Sequence, residues 1–273
     1  MPIDARTKVY AIIGSPVEHS LSPAMHNAAF RAEGLNAVYV ALAVTELGAA
    51  IAGMRALGLA GLSVTVPHKT AVMKYLDHID ESARQVGAVN TVVWEKGALV
   101  GYNTDVSGAL RSLEPHTDIT GRRFLVIGAG GAARAIGYGL WQRGAEVTIA
   151  NRSVERGRLL AEDLACAFVP LSEVTKLSVD GVIQATTVGM SPGPDRSPVP
   201  PQLFRPGMLV MDIVYKPRET RFLKDAKDRG CVCIGGLDML LEQAVEQFRL
   251  WTGRAPRQVM AEALREGLRG HGD

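Results

Sequence analysis

Cysteine is scarce: Cys166, Cys231 and Cys233 are the three in 273 residues. They supply neither a disulfide framework nor a paired C-x-x-C zinc set. Buried thiols are expected, with Cys231 and Cys233 on one face of the apolar strand CVCIG. No Cys/His/carboxylate cluster has metal-ligand spacing, so no metal is expected. Charge of one sign is missing too. Thirty Lys+Arg oppose 28 Asp+Glu, a formal net charge of +2, and the arginines are scattered. That excludes a polyanion signal, and nucleic acid is not an expected partner. No apolar run reaches the roughly 20 residues that span a bilayer, and MPIDARTKVY has no secretory h-region. No membrane partner and a cytoplasmic location are the expectations. With 47% hydrophobic and only 21% charged residues the chain is globular, not disordered. No repeat has solenoid period.

What is present is alternation. Strand and helix patterns succeed one another along the whole chain, the signature of a parallel sheet covered by helices. KVYAIIG (8–14) reads as a strand. The helix after it takes Ser22 as N-cap, Pro23 at the first helical position, Met25, Ala28, Ala29 and Ala32 as its apolar stripe, and Gly34 as its stop. AVYVALAV (37–44) is a strand, Thr45 caps the next helix, and GLSVTV (61–66) is the third strand. AVNTVVW, the turn EKG and ALVGYNT read as a hairpin. FLVIG, EVTIAN, DGVIQAT, LVMDIVY and CVCIG are strands of a second series, and SPGPDRSPVPP (191–201) is a surface loop. Two helical patterns end the chain, the first with Leu237, Leu240, Leu241, Ala244, Val245 and Phe248 on its stripe. The change of series near Asp105 predicts an α/β fold of two lobes with a cleft between them.

GAGGAA (128–133) follows an apolar strand and opens a helix, as G-x-G-x-x-A does in a dinucleotide turn. Gly128 makes the tight turn, Gly130 lets backbone approach a pyrophosphate, and small Ala133 packs helix on strand. Ala129, Gly131 and Ala132 complete the phosphate loop at the helix N-terminus. A turn serving packing alone is the competing reading. An NAD site usually places Asp or Glu at the end of the next strand. This chain has TIANRSVER, with Asn151, Arg152, Ser153 and Arg156 close together and no carboxylate before Glu155. Arg152 and Arg156 suit a 2′-phosphate, so the expected cofactor is NADP(H).

GLSVTVPHKT (61–70) poses a separate question. Pro67 suits the first position of a helix, which puts the Lys69 ammonium against the positive end of the macrodipole, unfavourable by roughly 0.3–1 kcal/mol. A solvated lysine is one answer and a catalytic one the other.

The strings HSLSPAMHN, GLSVTVPHK, GAVNT, GYNTD, GAGGAAR, NRS, QATTVGM, DIVYKPRET and GLDMLLEQA, in this order, resemble the shikimate dehydrogenase family over nearly all the chain. The resemblance implies NADP-dependent reduction of 3-dehydroshikimate to shikimate. It implies a catalytic, substrate-binding domain of residues 1–105 plus 237–273 and a Rossmann-type NADP-binding domain of 106–236. By matching position, Ser20 and Ser22 contact the substrate carboxylate, with capping a second role for Ser22. Thr65, Asn90, Tyr215 and Gln243 are substrate-side residues, a core aromatic and a solvated glutamine being the plainer readings of the last two. Thr186, Gly189, Met190 and Gly236 fall among the cofactor contacts. Lys69 and Asp105 form the acid–base pair: a positioned ammonium stabilises charge on a ketone oxygen and delivers the proton, worth about 10²–10⁴-fold. His68, His19 and His26 are structural. Ser63 and Gln184 depart from the family's usual asparagines. Monomer and homodimer both suit this architecture. Quinate or an amino analogue as substrate, and a non-catalytic NADP sensor, are the alternatives.

Overall fold

The computed structural model describes residues 3–270. The chain divides into two compact units, one running to Thr104 and resuming at Gln243, the other Asp105–Glu242. In chain order the first contains β1 (Lys8–Gly14), α1 (Ser22–Ala32), β2 (Ala37–Ala43), α2 (Leu47–Leu57), β3 (Gly61–Val64), β4 (His78–Ile79), α3 (Glu81–Val86), β5 (Thr91–Glu95) and β6 (Ala98–Tyr102). The second follows with α4 (Asp105–Leu113), β7 (Arg123–Ile127), α5 (Gly131–Gln142), β8 (Glu146–Asn151), α6 (Val154–Asp163) and β9 (Ala167–Pro170). It continues through β10 (Gly181–Gln184), β11 (Leu209–Asp212), α7 (Arg221–Asp228) and β12 (Val232–Ile234). Then α8 (Gly236–Thr252) leads back into the first unit, which α9 (Arg257–Gly270) closes.

The first unit's sheet has the order β2-β1-β3-β5-β6-β4, with β5 antiparallel to both neighbours. Lys96 and Gly97 turn the β5–β6 hairpin with φ of 49° and 84°, the pair of left-handed residues that matches strand twist. Ile13, Met54, Leu62, Val64, Val92 and Leu99 lie at the centre of an aliphatic core. Against the helical side pack the aromatics Tyr10, Phe30, Tyr39, Phe248 and Trp251 around His26.

In the second unit every pairing is parallel, in the order β12-β11-β10-β7-β8-β9. Numbered within the unit this is 3-2-1-4-5-6, the doubly wound arrangement, and its direction of winding reverses between β7 and β10. Such strands are covered on both faces, and VIQ, LVI and VMD are accordingly buried throughout.

Several boundaries differ from the sequence reading. Leu21, not Ser22, is the cap residue of α1. Ser22 is its first helical residue, and the Ser20 hydroxyl accepts from its backbone N at 3.3 Å. The helix buries Ser22, Met25, His26, Ala29 and Phe30 in place of Ala28 and Ala32. Gly34 does end it in the left-handed region, and Leu35 N donates back to Phe30 O. Glu46 rather than Thr45 precedes α2. No α-helix starts at Pro67. β3 ends at Val64, the Val66–Pro67 peptide is cis, and a 3₁₀ turn begins at Ala71. The macrodipole conflict assigned to Lys69 therefore does not arise, and Val66 lies beyond the strand, exposed. The cysteines are half-buried, not buried. α4, α7, the short β4 and β9 have no counterpart in the periodicity reading, although Thr220, whose hydroxyl accepts from Leu223 N, caps α7 by an ordinary signal.

Candidate active site

Gly128, Gly130 and their neighbours occupy the carboxyl end of β7, where the sheet switches direction. Gly128 has φ +130°, and a Cβ there would stand 2.8 Å from Ala185 O. Only glycine fits, for both reasons. Gly130 is different: it is exposed, its φ is −94°, and a Cβ would meet nothing. Its glycine leaves the space above the turn open. Ala133 is fully buried against the sheet. The first turn of α5 has no side-chain cap and no acidic residue, so its N–H groups face an anion site without competition. Ala129, Gly131 and Ala132 are half-buried around it.

At the end of β8, Asn151 Nδ2 donates to Ser153 O at 3.0 Å, and the Ser153 hydroxyl accepts from Arg156 N, capping α6. Ser153 is thus a cap as well as a cofactor candidate. Arg152 and Arg156 are exposed and, among the described residues, have no ion-pair partner. Two exposed arginines four residues apart, neither paired with a carboxylate, suit a phosphate monoester. An open turn, an uncapped helix and an unpaired arginine couple fit a 2′-phosphorylated dinucleotide.

Gln184 and Asp212 tie the next two loops together, and both are fully buried. Gln184 Oε1 accepts from Thr186 N at 2.5 Å and from the Thr186 hydroxyl at 2.7 Å. Its Nε2 donates to Val188 O at 2.8 Å and to Asp212 Oδ1 at 3.2 Å. Asp212 also accepts from Val214 N (2.9 Å) and the Thr220 hydroxyl (2.6 Å). Burial pushes its carboxyl up to about 6, against those two hydrogen bonds. This network fixes the segments bearing Thr186, Gly189, Met190 and Tyr215. Gly189 has φ +87°, Met190 is exposed, and Tyr215 is half-buried, its phenol raised by burial. Gly236 begins α8 where a Cβ would collide with Ile213 O.

The first unit brings a separate set together. Asn90 Oδ1 accepts from Thr104 N and the Thr91 hydroxyl, both at 2.8 Å, and Asn90 Nδ2 donates to Thr104 Oγ1 at 3.0 Å. Gln243 Oε1 accepts from the same Thr104 hydroxyl at 3.5 Å. Gln247 Nε2 donates to Asn90 O and Thr91 Oγ1, and its Oε1 accepts from Ser63 at 2.9 Å. Tyr39 donates to Ser63 at 2.6 Å. Burial raises the Tyr39 phenol, while hydrogen bonds with Ser63 and Ser22 act the other way. Tyr39, Thr91, Thr104 and Gln247 escaped the sequence reading. Gln247 alone carried a signal, an i, i+4 partner of Gln243 on the same helix. Thr65 lies just past β3, half-buried, its methyl against Gly14.

Lys69 is half-buried in the turn after β3, and its carbonyl accepts from Val89 N at 2.8 Å. Asp105 is buried at the first turn of α4, where an acid suits the helix dipole. The two belong to different units. His68 Nε2 donates to Val44 O at 2.8 Å. Among the described residues no three His, Cys, Asp or Glu are grouped to hold a metal, and no helix is long and apolar enough to cross a membrane.

Fold and turn together define the class, an NADP-dependent oxidoreductase with a doubly wound dinucleotide-binding unit. Three family profiles match in succession: "Shikimate dehydrogenase substrate binding domain" over residues 12–92, "Shikimate / quinate 5-dehydrogenase" over 109–213, and "Shikimate 5'-dehydrogenase C-terminal domain" over 236–265. The shikimate dehydrogenase (NADP(+)) of Moorella thermoacetica is 49% identical, covering 97% of this chain and 95% of that protein. A crystal structure of a shikimate dehydrogenase in complex with NADP+ superposes with TM-score 0.93 at 43% identity, over 97% of each chain. The Thermus thermophilus enzyme in complex with NADP(H) and shikimate gives 0.90 at 39% identity, over 96% of this chain and 100% of that one. The chain belongs to the shikimate dehydrogenase family.

Proposed function

We propose that the protein interconverts 3-dehydroshikimate and shikimate with Lys69 and Asp105 as its acid–base pair. The observation that carries the cofactor half of this reading is the unpaired Arg152/Arg156 couple beside an open glycine turn. The unit Asp105–Glu242 holds NADP(H): Gly128–Ala132 and the α5 N–H groups take the pyrophosphate, and Asn151, Arg152, Ser153 and Arg156 the adenosine ribose phosphate. Thr186, Gly189, Met190 and Gly236 line the nicotinamide side. Bound NADPH supplies a hydride from C4 of its nicotinamide.

The remaining chemistry belongs to side chains. Ser20 and Ser22 hold the substrate carboxylate, while Thr65, Asn90, Tyr215 and Gln243 orient the ring hydroxyls. Asn90 suits this because Thr91 and Thr104 fix its amide in one orientation. Lys69 stabilises negative charge on the carbonyl oxygen and gives it a proton, and Asp105 orients the ammonium. In the reverse direction the lysine amine takes the hydroxyl proton.

The test is nicotinamide absorbance with shikimate or quinate, each with NADP and with NAD. Turnover strongest with shikimate and NADP is the expected result, and a preference for quinate with NAD overturns the reading. Lys69→Ala should lower kcat by about 10²–10⁴-fold with a modest change in KM. Undiminished kcat removes the lysine from the chemistry.

A further inference from the structure

The first unit has a cavity of about 730 Å³ that none of the residues above uses. Lys8 and Tyr10, at the amino end of β1, and Ala37, at the amino end of β2, line it. Ser20 and Ser22 follow the other end of β1, so the cavity and the proposed carboxylate site lie beyond opposite ends of that strand. Its size is within the range of small-molecule sites.

Three rings form one wall. Tyr10 packs on Phe30 at 5.0 Å and on Trp251 at 5.1 Å between centroids. The Trp251 indole is fixed by donation from Nε1 to Val92 O at 3.1 Å. Tyr10 is only 5% exposed, yet its hydroxyl has no hydrogen-bond partner among the described residues. That oxygen still reaches solvent, so its O–H is free to meet a ligand entering the cavity. Burial raises the phenol's pKa, so the donor is kept at neutral pH.

The rim is cationic. Arg6 is paired with Asp4 at 3.1 Å, and Arg254 with Glu33 at 3.1 Å. Lys8 has no carboxylate within reach among the described residues. One uncompensated cation thus stands beside an aromatic wall and an unused O–H. We propose that this cavity is a second ligand site, which binds a small ring-bearing monocarboxylate with its ring against Tyr10, Phe30 and Trp251 and its carboxylate on the Tyr10 hydroxyl and the Lys8 ammonium.

Calorimetric titration of the NADP-loaded protein with benzoate tests this, with benzamide as its uncharged shape match and inorganic phosphate as an anion without a ring. Benzoate should bind saturably with Kd of about 1 mM or tighter. Benzamide and phosphate should each bind at least several-fold more weakly. Saturating shikimate should leave the benzoate isotherm unchanged. Tyr10→Phe keeps the ring and removes the donor, and should weaken benzoate about tenfold. Lys8→Gln, at an exposed position, gives a second reading should Tyr10→Phe fail to fold, and should weaken benzoate by several-fold. Turnover of shikimate should be unaltered in both variants. Competition by shikimate places benzoate in the substrate site and overturns the proposal. So does an affinity indifferent to both substitutions, equal binding of benzamide, or no saturable heat.

Discussion

The polar interiors of the two units are made of opposite materials. In the first, hydroxyls and amides carry the network from Tyr39 through Ser63 and Gln247 to Asn90. Beside it His26 is fully buried, stacks on Tyr39 at 4.4 Å, and has no hydrogen-bond partner for either nitrogen. Burial drops it to about 3; Gln247, beside the ring, works in the other direction. In the second unit the centre of the network is a carboxyl, Asp212, pushed up to about 6. Burial favours the uncharged form of each group, but one is a base and the other an acid. The units should therefore respond to pH with opposite sign.

The largest expected effect is on the acid side. His26 has a folded pKa below its ordinary 6.5, so its contribution is intact above pH 6.5 and lost as pH falls toward 3. Moving from pH 7 to 4 should cost about 3 kcal/mol through this group. His26→Phe removes an imidazole that makes no hydrogen bonds, and should abolish that portion of the acid sensitivity in urea titrations. Equal losses in both proteins would clear the imidazole.

Next in size is a contrast between two glycines of the same turn. Gly128→Ala should destabilise by about 2–3 kcal/mol, from a left-handed φ and a contact with Ala185 O. Gly130→Ala should cost less than about 1 kcal/mol in stability while weakening NADP binding. Similar melting temperatures for the two variants would break the distinction between a glycine demanded by the fold and one demanded by the ligand.

Asp212 reverses the sign of the histidine. Its folded pKa exceeds the ordinary 3.8, so its contribution is full below pH 3.8 and declines as pH rises through 6. Asp212→Asn keeps an acceptor for Val214 N and should be about 1–2 kcal/mol more stable than the parent at pH 7.5, with the difference vanishing near pH 4. A constant difference across that range would mean that the carboxyl is not the titrating group. Smallest is the effect at the end of β8. Replacing Arg152 and Arg156 by alanine should weaken NADP about tenfold and leave NAD nearly unchanged, measured by fluorescence titration.

The same contrast explains what could be read in advance. The dinucleotide turn was legible because its chemistry is backbone chemistry, packed into the consecutive residues Gly128–Ala133 between a strand and a helix. The strand order was legible as a class, since parallel strands leave continuous apolar runs. In the first unit Asn90 and Gln243 were found through the family strings alone. Asn90 draws its partners Thr104 and Gln247 from distant stretches, and no local pattern announces that Ser63 meets Gln247. Pro67 misled for a definite reason. Proline serves helix starts and tight turns alike, and VTVPHK has no helix cap in the segment to separate them. The half-buried Cys231 and Cys233 stand at β12 and Cys166 just before β9, the two edges of the sheet, positions that composition does not encode.

The route of the chain has a consequence for synthesis. Gln243 and Gln247 are made only after all of Asp105–Glu242, at roughly 5–20 residues per second. For several seconds on the ribosome, Ser63 and Thr91 exist without the glutamine that satisfies them, whereas the uninterrupted second unit has every strand it needs. The nascent polypeptide thus emerges with its nucleotide half ready to mature and its other half waiting for the last helices to be delivered.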